Sequence, residues 1–335
     1  MMFFEMSAYR LFGLLAICFL PPALSTPTSH ENGTSVTTLQ VIPETQSLEN
    51  IAVRNNGDLL VTSVASSTLF GLSPHGEHPP IPVARISGVT GLLGIAELEK
   101  DVFFVVGSNL TSTENSNGVW KVDLRNFQAF RNGTTLQPAS VSLVTLIPSA
   151  LQLNGMARLS SNDTKSLLIS DSSRGTVIRL NVDTAVYETA VQEPEMAPLT
   201  TGLGIGVNGI RIRDNYLYFV SLDQGRFARV PISLASGEAL GPVKTLASGI
   251  TFGDDFALSG DGRWAYVATN GPREVIGVDL LLGGKFVAAT SPLLGSASSV
   301  ARSTGHAWYV TGATPSGNST VGHVSSVLFS CGILV

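Results

Sequence analysis

The sequence predicts an all-β protein folded as a six-bladed β-propeller with four antiparallel strands in each blade. Three observations support this prediction. Six segments resemble one another, and each begins with a short polar or glycine-containing turn followed by a three-residue apolar strand. Each continues into a second strand rich in β-prone residues, and the segments start 44, 61, 54, 46 and 44 residues apart. None shows the 3.6-residue periodicity of an amphipathic helix.

The opening of each segment is assigned to the innermost strand of a blade, because such strands line the axial channel of a propeller. Polar residues and glycine favour the turn that precedes each strand. The openings are Glu49-Asn50-Ile51-Ala52-Val53, Leu93-Gly94-Ile95-Ala96-Glu97, Asn154-Gly155-Met156-Ala157-Arg158, Asn208-Gly209-Ile210-Arg211-Ile212, Asp254-Asp255-Phe256-Ala257-Leu258 and Ser298-Ser299-Val300-Ala301-Arg302.

The second strand of each segment is strongly β-prone. These strands span Asp58 to Thr62, Val102 to Val106, Leu167 to Ser170, Tyr216 to Ser221, Trp264 to Thr269 and Ala307 to Thr311. A third strand follows in most units, at Gly118 to Leu124, Thr176 to Val182, Arg226 to Ile232 and Glu274 to Leu280. A twisted β-sandwich, the main alternative, would explain the short strands but not six similar units.

Two stretches depart from the repeat. The widest interval contains the stretch from Arg131 to Leu151, where we expect a surface insertion. The stretch from Val324 to Val335 is apolar and lacks a clear pair of closing strands. We therefore expect the sixth blade to be irregular.

The composition is that of a globular protein. The chain has 335 residues, of which 44% are hydrophobic and 13% charged, so it can bury a large core. Its formal net charge is −5, and no basic patch suited to nucleic acid or to an acidic membrane surface is present in the sequence. We expect a monomer that binds a small molecule, with no nucleic-acid partner and no stable membrane anchor.

Residues 1–25 resemble an export signal. Arg10 precedes an apolar run from Leu11 to Leu20, and Ala23-Leu24-Ser25 offers small residues for cleavage before Thr26. The run is shorter than the roughly 20 residues that span a bilayer, although an uncleaved anchor is the alternative. We expect residues 26–335 to form a single propeller domain in a protein that is secreted or resides in the lumen of the secretory pathway.

Potential glycosylation sites and cysteine usage fit that route. Five N-x-S/T sequons lie in polar, turn-like stretches, at Asn32, Asn109, Asn132, Asn162 and Asn318. Cys18 would leave with the signal segment, so Cys331 would remain alone and no intrachain disulfide could form.

The propeller geometry converts the repeat into a candidate site. Equivalent residues at the start of the innermost strands converge around one mouth of the channel. The first residues of the openings form a ring of Glu49, Leu93, Asn154, Asn208, Asp254 and Ser298, with Asn50, Gly94, Gly155, Gly209, Asp255 and Ser299 behind it.

Oxygen-bearing side chains dominate this ring. Carboxylates such as Glu49, Asp254 and Asp255 near a narrow axis would repel one another, so we expect a proton, a paired cation or a metal ion to compensate them. Carboxylates and Asn carbonyls are ligands that Ca²⁺ and Mg²⁺ prefer. The alternative is that these residues form only local turn hydrogen bonds.

Other motifs give little information. The sequence has no H-E-x-x-H, G-x-S-x-G or P-loop motif. The segment from Gly202 to Gly206 is rich in glycine, but it leads into a strand, so we expect a flexible connection between blades. Five histidines lack metal-ligand spacing and are expected at the surface or in loops: His30, His75, His78, His306 and His323.

At the ring residues the chain resembles the six-bladed propellers of the senescence-marker-protein-30, gluconolactonase and strictosidine-synthase-like superfamily. The resemblance extends over essentially the whole of residues 26–335. It implies that Glu49, Asn208 and Asp254 would be metal ligands in a metal-dependent lactonase and that Asn154 would face the substrate.

The chain is also similar to a fungal branch of secreted propellers encoded in secondary-metabolite gene clusters. The similarity is carried by 49–62, 91–97, 153–156 and 208–211. Members of this branch include hetero-Diels–Alderases that join a tropolone-derived quinone methide to a terpene alkene. The resemblance thus implies a polyketide-like or terpenoid-like substrate.

Two enzymatic functions and one binding function are compatible with these residues. A hetero-Diels–Alderase-type cyclase would need no cofactor, and Asn154, Asn208 and Asn50 would donate hydrogen bonds while Glu49 or Asp254 would assist loss of water. Further substrate contacts would come from Asp255 and Ser298, and from Leu93, Met156 and Phe256 unless these three pack in the core.

The second enzymatic function is hydrolysis of a lactone or ester with a Ca²⁺ or Mg²⁺ ion, with Asp254 or Asp255 as the base. The third possibility is a secreted binding propeller without catalytic activity, because a fold does not determine function.

Overall fold

The structure is a computed structural model, and it describes residues 34–110, 116–303 and 305–329. Over these residues the chain forms six four-stranded antiparallel sheets arranged around a common axis. The prediction of an all-β, six-bladed propeller is confirmed, and the β-sandwich is excluded. Short 3-10 helices occur at Pro194–Met196 and Pro292–Leu294.

The strands are numbered in chain order and the blades from I to VI. Blade I contains β2 (Ile51–Val53), β3 (Leu59–Val61), β4 (Thr68–Leu72) and β5 (Ile81–Arg85). Blade II contains β6 (Gly91–Glu99), β7 (Val102–Ser108), β8 (Gly118–Asp123) and β11 (Ser140–Leu146). Blade III contains β12 (Leu153–Arg158), β13 (Ser166–Asp171), β14 (Thr176–Asn181) and β15 (Tyr187–Gln192).

The remaining blades follow the same order from the axis outward. Blade IV contains β16 (Val207–Arg213), β17 (Tyr216–Ser221), β18 (Arg226–Pro231) and β19 (Lys244–Ser248). Blade V contains β20 (Gly253–Leu258), β21 (Trp264–Thr269), β22 (Glu274–Asp279) and β23 (Lys285–Thr290). Blade VI contains β24 (Ser299–Arg302), β25 (Trp308–Ser316), β26 (Ser319–Leu328) and β1 (Ser35–Ile42).

Blade VI is completed by β1, the first strand in the described part of the chain. Strand β1 pairs antiparallel with β26, and the register runs from Ser35 opposite Leu328 to Ile42 opposite Gly322. The expectation of an irregular sixth blade is therefore wrong, because the missing outer strand comes from the other end of the chain. This pairing joins the first and last blades and closes the ring.

The wide interval in blade II contains both an insertion and a regular strand. A small hairpin, β9 (Gln128–Ala129) and β10 (Thr135–Gln137), lies between the third and fourth strands of the blade. It contacts blade I, where the Thr135 hydroxyl donates to the carbonyl of Pro82 at 3.3 Å. The predicted insertion is thus confined to this hairpin, and the rest of the stretch forms the outer strand β11.

The hydrophobic core lies between adjacent blades. Each inner strand has apolar side chains on both faces, and Leu167, Leu168 and Ile169 in blade III are all fully buried. Between blades IV and V, Phe227 and Phe256 meet edge to face with ring centroids 4.8 Å apart. Burial of each such side chain contributes about 1.5–3 kcal/mol, so the interblade surfaces stabilise the fold strongly.

The innermost strands pack tightly against one another around the axis. Each of β2, β6, β12, β16, β20 and β24 contacts the innermost strand of both neighbouring blades. A Cβ atom at Gly94 would lie 2.2 Å from the carbonyl oxygen of Asn154, and one at Gly155 would lie 2.5 Å from that of Asn208. Glycine is required here because the backbones approach too closely for a side chain.

Residues 1–25, Asn32 and Cys331 lie outside the described residues, so the predicted signal segment stays a prediction. No helix within 34–110, 116–303 and 305–329 is long and apolar enough to cross a membrane.

Candidate functional site

The candidate site is the ring of side chains at the start of the innermost strands. Asn154, Asn208 and Asp254 are 4%, 3% and 5% exposed, whereas Glu49 is partly buried. The pairing register shifts at Asn154 in β12, at Asn208 in β16 and at Asp254 in β20. Such bulges redirect side chains away from the normal alternation of a strand. The local distortion therefore turns these polar residues out of the regular ladder at one end of the channel.

Asn208 and Asp254 are in direct contact. The amide nitrogen Nδ2 of Asn208 donates to Oδ1 of Asp254 at 2.6 Å. Oδ2 of Asp254 accepts a second hydrogen bond, at 3.0 Å, from Nδ2 of Asn270. Sequence reasoning missed Asn270 because it follows the second strand of blade V and lies outside the six openings. Two amides thus hold both oxygens of one ring carboxylate.

The carboxyl groups of Glu49 and Asp254 interact electrostatically. Burial, followed by the charges of Asp254 and Asp255, raises the pKa of Glu49 well above its usual value. Burial also raises the pKa of Asp254 to about 7, while the hydrogen bonds from Asn270 and Asn208 oppose this shift. Both carboxyl groups therefore hold a proton more strongly than they would in water.

Asp255 links three blades. Its Oδ2 accepts hydrogen bonds from Nη2 of Arg211 at 2.7 Å and from the hydroxyl of Ser299 at 2.6 Å. A Cβ atom at Gly209 would lie 2.2 Å from Oδ1 of Asp255, so only glycine leaves room for this carboxylate. Asp255 was predicted to contact substrate, but its described contacts join blades IV, V and VI.

Arg54 and Arg211 point between blades. Arg54 pairs with Asp101 of blade II at 2.8 Å, and Arg211 pairs with Asp255 of blade V. The fourth position of the openings is alanine in five blades, and Arg211 occupies it in blade IV. This exception is visible in the aligned openings and could have identified Arg211 as unusual.

Ser298 and Asn50 contribute to the closure of the ring. The Ser298 hydroxyl donates to the carbonyl of Glu49 at 2.8 Å and to that of Leu48 at 2.9 Å. The backbone N–H of Asn50 donates to the hydroxyl of Thr62, which donates to the carbonyl of Leu93 at 2.7 Å. These contacts connect blade VI to blade I and blade I to blade II.

The apolar residues expected as pocket walls lie in the interblade core. Leu93 and Met156 are 1% and 3% exposed in the core between blades II and III. Phe256 is fully buried between blades IV and V. Packing, which was the alternative role for these three residues, is therefore the role that the structure shows.

The donor atoms of the ring are of the kinds that a hard divalent cation prefers. The Oδ1 atom of Asn154 is buried and has no hydrogen-bond partner in the described chain. It lies on the same ring as the carboxylates of Glu49 and Asp254 and the amide of Asn208. Within the described residues no three His, Cys, Asp or Glu side chains are grouped to hold a metal, so an ion here would depend on amide oxygens as well as carboxylates.

Three predicted sequons lie in exposed turns. Asn132, Asn162 and Asn318 are exposed, whereas Asn109 is half-buried and its Oδ1 accepts a hydrogen bond from the Thr90 hydroxyl at 3.4 Å. Glycosylation at these sites stays a prediction.

One histidine lies in the core, in contrast to the expectation from the sequence. His323 was expected at the surface or in a loop, but it lies in β26 and is 1% exposed. Its Nε2 contacts the carbonyl of Leu293 at 3.0 Å, and burial lowers its pKa. The alternating pattern of β26 is interrupted by serine and glycine, which hid the buried face.

The chain has recognisable relatives among known proteins. No family model matches the sequence. A Phoma sp protein named "Putative hetero-Diels-Alderase" is 32% identical over 235 residues, which cover 63% of this chain and 65% of that protein. A Sarocladium schorii protein named "Putative hetero-Diels-Alderase asR5" is 29% identical over 244 residues, covering 64% of this chain and 58% of that protein.

The chain is a sequence relative of these fungal proteins. The similarity to fungal hetero-Diels–Alderases inferred from the sequence is confirmed by these two relatives. The aligned chain spans less than two thirds of the length of either relative.

Solved structures share the fold at low sequence identity. A luciferin-regenerating enzyme superposes with a TM-score of 0.62 and 12% identity, covering 88% of this chain and 95% of that one. A calcium-binding regucalcin from Agrobacterium tumefaciens superposes with a TM-score of 0.58 and 14% identity, covering 86% and 93% of the two chains. These likenesses establish the propeller fold alone.

Proposed function

We propose that the protein is a secondary-metabolite biosynthetic enzyme of the hetero-Diels–Alderase type. It would join a quinone-methide-like enone to a terpene alkene at the mouth of the channel. The observation that carries this proposal is the 32% identity to the Phoma sp relative. The buried ring of amides and carboxyl groups supports it, because a cycloaddition needs positioning and hydrogen bonds rather than a nucleophile.

Positioning of the two reactants supplies much of the proposed catalysis. Holding two molecules in a reactive geometry can lower a barrier by about 7–11 kcal/mol. In the cycloaddition one carbon–carbon and one carbon–oxygen bond form, and no proton is transferred. A rigid propeller is suited to this task because the strands that carry Asn154, Asn208 and Asp254 are packed on both sides.

Amide groups of the ring would bind the enone oxygen. Asn208 is held by its hydrogen bond to Asp254, which fixes the orientation of its side chain. The buried Oδ1 of Asn154 has no partner within the described residues, so it can accept a hydrogen bond from a ligand hydroxyl and leave Nδ2 to act as the donor. A hydrogen bond donated by Asn154 to the carbonyl would stabilise the negative charge that develops there.

The two carboxyl groups would generate the quinone methide. Glu49, whose pKa is raised by burial and by Asp254, would donate a proton to a leaving hydroxyl. The carbon–oxygen bond would break and water would leave, while Asp254 would accept the proton of the neighbouring ring hydroxyl. One proton is donated and one accepted, so the dehydration balances. Glu49 is thus assigned as the acid and Asp254 as the base.

The proposal is tested with purified protein, a benzylic or tropolonic alcohol precursor and a cyclic terpene alkene. We expect an adduct with one predominant stereochemistry, measured by chiral chromatography with mass spectrometry. Asn154→Ala should lower the rate about 10²-fold, as is typical for removal of one oxyanion donor. Asn162→Ala, at an exposed turn, is the matched control and should leave the rate unchanged. Racemic product at the uncatalysed rate would contradict the proposal.

A second candidate function is hydrolysis of a lactone or ester with a divalent ion. The unpartnered Oδ1 of Asn154, on the same ring as two carboxyl groups with raised pKa values, favours it. Glu49, Asn208 and Asp254 would hold the ion, and Asn154 would face the substrate. The ion would polarise the carbonyl and activate water. Loss of lactone hydrolysis with chelator would support this function, whereas chelator-resistant cyclisation supports the first one.

A non-enzymatic binding propeller would show neither turnover nor tight ion binding.

For the mature protein we propose passage through the secretory pathway as a glycosylated monomer. The exposed turns that contain Asn132, Asn162 and Asn318 support this route, since a glycan needs space in solvent. The net charge of −5 supports the proposal that nucleic acid is not a partner.

A further inference from the structure

The most exposed large aliphatic side chains of the described residues lie in the connections between the third and fourth strands of blades III to V. Leu282 is 85% exposed, Leu281 69%, Leu240 67% and Val186 64%, whereas the other exposed large hydrophobic residues of the described chain reach at most 59%. Their collection in one type of connection differs from the scatter of single apolar residues that is normal on a protein surface. The three leucines are called the leucine rim below.

The leucine rim lies at the end of the propeller away from the candidate site. The ring residue Asp254 is at the start of β20, and the antiparallel order of blade V makes β20 and β22 run away from the ring. The turn 280–284, between β22 and β23, is therefore at the far end of the blade. The same order places the connection 232–243 of blade IV at that end.

The turn that carries Leu281 and Leu282 is held in one conformation. Oδ1 of Asp279 accepts hydrogen bonds from the backbone N–H groups of both leucines, each at 2.9 Å. The backbone N–H of Gly284 donates to the carbonyl of Leu246 in blade IV at 2.8 Å. The two leucine side chains are therefore presented to solvent by a rigid support.

The fold does not require leucine at these two positions. In the equivalent turn of blade III, Oδ1 of Asn181 accepts hydrogen bonds from the backbone N–H groups of Asp183 and Thr184, each at 3.0 Å. Polar residues therefore occupy the positions that leucines occupy in blade V, with the same hydrogen bonds. An exposed leucine pair that its turn does not need indicates contact with another molecule.

A lysine follows each part of the leucine rim at the same spacing. Leu240 precedes Lys244 by four residues and Leu281 precedes Lys285 by four, and each lysine is the first residue of the outer strand of its blade. Both lysines are exposed, and within the described residues neither has an ion-pair partner, although the ammonium group of Lys285 contacts a backbone carbonyl. Two lysines therefore stand against one acid, Glu238, in these segments of a chain whose net charge is −5.

A second exposed apolar group, Phe130 and Leu136 in the hairpin of blade II, is less suited to such a contact. The predicted sequon at Asn132 lies between them, and a glycan there would cover both. The predicted sequon at Asn162, between the first two strands of its blade, belongs to blade III. Glycans at these positions would leave blades IV and V uncovered.

We propose that the leucine rim binds reversibly to the surface of a phospholipid bilayer. The leucines enter the boundary between headgroups and acyl chains, and the two lysines lie beside lipid phosphates. A lipid surface suits two separate protruding turns better than a protein groove does. The reason is that each turn needs only a fluid apolar layer beneath a layer of phosphate, without a complementary shape.

Such a contact is reversible, because stable anchoring takes two acyl chains or one acyl chain with a polybasic patch. It leaves the channel mouth in solvent at the other end of the propeller. The inference does not depend on the proposed function.

The test is flotation of the secreted, glycosylated protein with phosphatidylcholine vesicles. Wild type should float, and Leu281→Asn/Leu282→Thr should lower the partition coefficient about tenfold or more, because two apolar side chains lose their burial in lipid. The new pair resembles the polar pair of blade III, so the Tm should not change. Leu151→Asn is the matched control and should float as wild type does, because this exposed leucine precedes β12 on the side of the channel mouth.

Two further variants keep the test independent of the blade V turn. Leu240→Asn, in blade IV, should lower the partition coefficient about threefold or more. Lys244→Gln should lower it about fivefold for vesicles that contain phosphatidylserine, and less for phosphatidylcholine alone. Wild-type protein that does not float would assign the leucines to a protein partner and overturn the inference. Equal flotation of wild type and both leucine variants would overturn it as well.

Discussion

Arg211 donates a hydrogen bond to Oδ2 of Asp255 at 2.7 Å across the gap between blades IV and V. The Asp255 side chain is 3% exposed and that of Arg211 is 25% exposed. The guanidinium also lies over the ring of Phe256, 5.6 Å from its centroid. The charge of Asp255 adds to the repulsion at both Glu49 and Asp254. Its ion pair with Arg211 compensates that charge locally.

Removal of Arg211 alone should destabilise the fold strongly. Arg211→Met leaves the buried carboxylate of Asp255 without its cation, and loss of one partner of a buried pair costs about 3–5 kcal/mol. Urea denaturation should measure this loss. The double variant Arg211→Met/Asp255→Asn should recover much of the stability because neither charge remains. Replacement of the exposed Arg125 by Met is the control and should leave the midpoint unchanged. A double variant less stable than Arg211→Met would contradict this account.

A side chain in place of the hydrogen of Gly209 should destabilise the contact between β16 and Asp255 of β20. The Cβ atom of Gly209→Ala would lie 2.2 Å from Oδ1 and 2.6 Å from Cα of Asp255. Relief of this contact requires movement of β20, and we expect a loss of about 1–3 kcal/mol, measured by thermal or urea unfolding. At the matched position Gly305, the nearest atom is 3.7 Å away, so Gly305→Ala should change stability by less than about 0.5 kcal/mol. Equal losses of stability in Gly209→Ala and Gly305→Ala would refute the steric explanation.

Much of the fold followed from local sequence patterns. The innermost and second strands were predictable because each blade repeats a turn, a short apolar strand and a β-prone strand. The outer strand of blade VI was not predictable in this way. Ser35–Ile42 pairs with Ser319–Leu328, and this contact between the chain ends has no local signature. Burial of His323 was missed because serine and glycine interrupt the alternating pattern of β26 and because its contact with the carbonyl of Leu293 is distant in sequence.

The site could be predicted from the sequence where its residues occupy equivalent positions in successive blades. Asn154, Asn208 and Asp254 occupy equivalent positions, so symmetry alone placed them on one ring. Asn270 has no equivalent role in the repeat and was found only through its contacts with Asp254 and Phe252. The ion pair between Asp255 and Arg211 could not be predicted from the repeat either, because it crosses from one blade to the next.

Protonation of His323 should weaken the fold at mildly acidic pH. Burial lowers its pKa in the folded protein, so the unfolded chain binds a proton at higher pH than the folded chain does. The contribution of neutral His323 is complete above about pH 6.5 and is lost as the pH falls toward the lowered folded pKa. The free energy of unfolding, compared between wild type and His323→Gln, should reveal this dependence. His306→Gln, at an exposed position, should not alter it.

Glycan occupancy should follow exposure of the sequons. In protein secreted from a eukaryotic host, Asn132, Asn162 and Asn318 should carry glycans because they lie in exposed turns. Asn109 should be poorly occupied because its side chain is half-buried and bonded to Thr90. Peptide mapping after enzymatic deglycosylation in ¹⁸O-water measures each site. Asn318→Gln should remove one glycan mass. Full occupancy at Asn109, or none at the other three sites, would contradict this expectation.

The raised pKa of Asp254 should make the stability of the protein fall as the pH rises. Its pKa is about 7 in the folded protein and 3.8 in a model peptide, so the folded state holds this proton more tightly. The resulting stability is complete below about pH 4 and is lost as the pH rises toward 7, by at most about 1.4 kcal/mol per pH unit. The difference in free energy of unfolding between wild type and Asp254→Asn should show this decline in calcium-free buffer.

Two comparisons make the Asp254 measurement decisive. Asp261→Asn is the control of opposite sign, because hydrogen bonds from Ser259 and Arg263 lower the pKa of Asp261 and its stabilising effect is lost on acidification. If the ring holds a divalent cation, excess CaCl₂ should abolish the decline attributed to Asp254, because the ion favours the carboxylate. A decline that persists in CaCl₂ argues against the ion-dependent hydrolase, and no decline in calcium-free buffer would show that Asp254 is ionised in the folded protein.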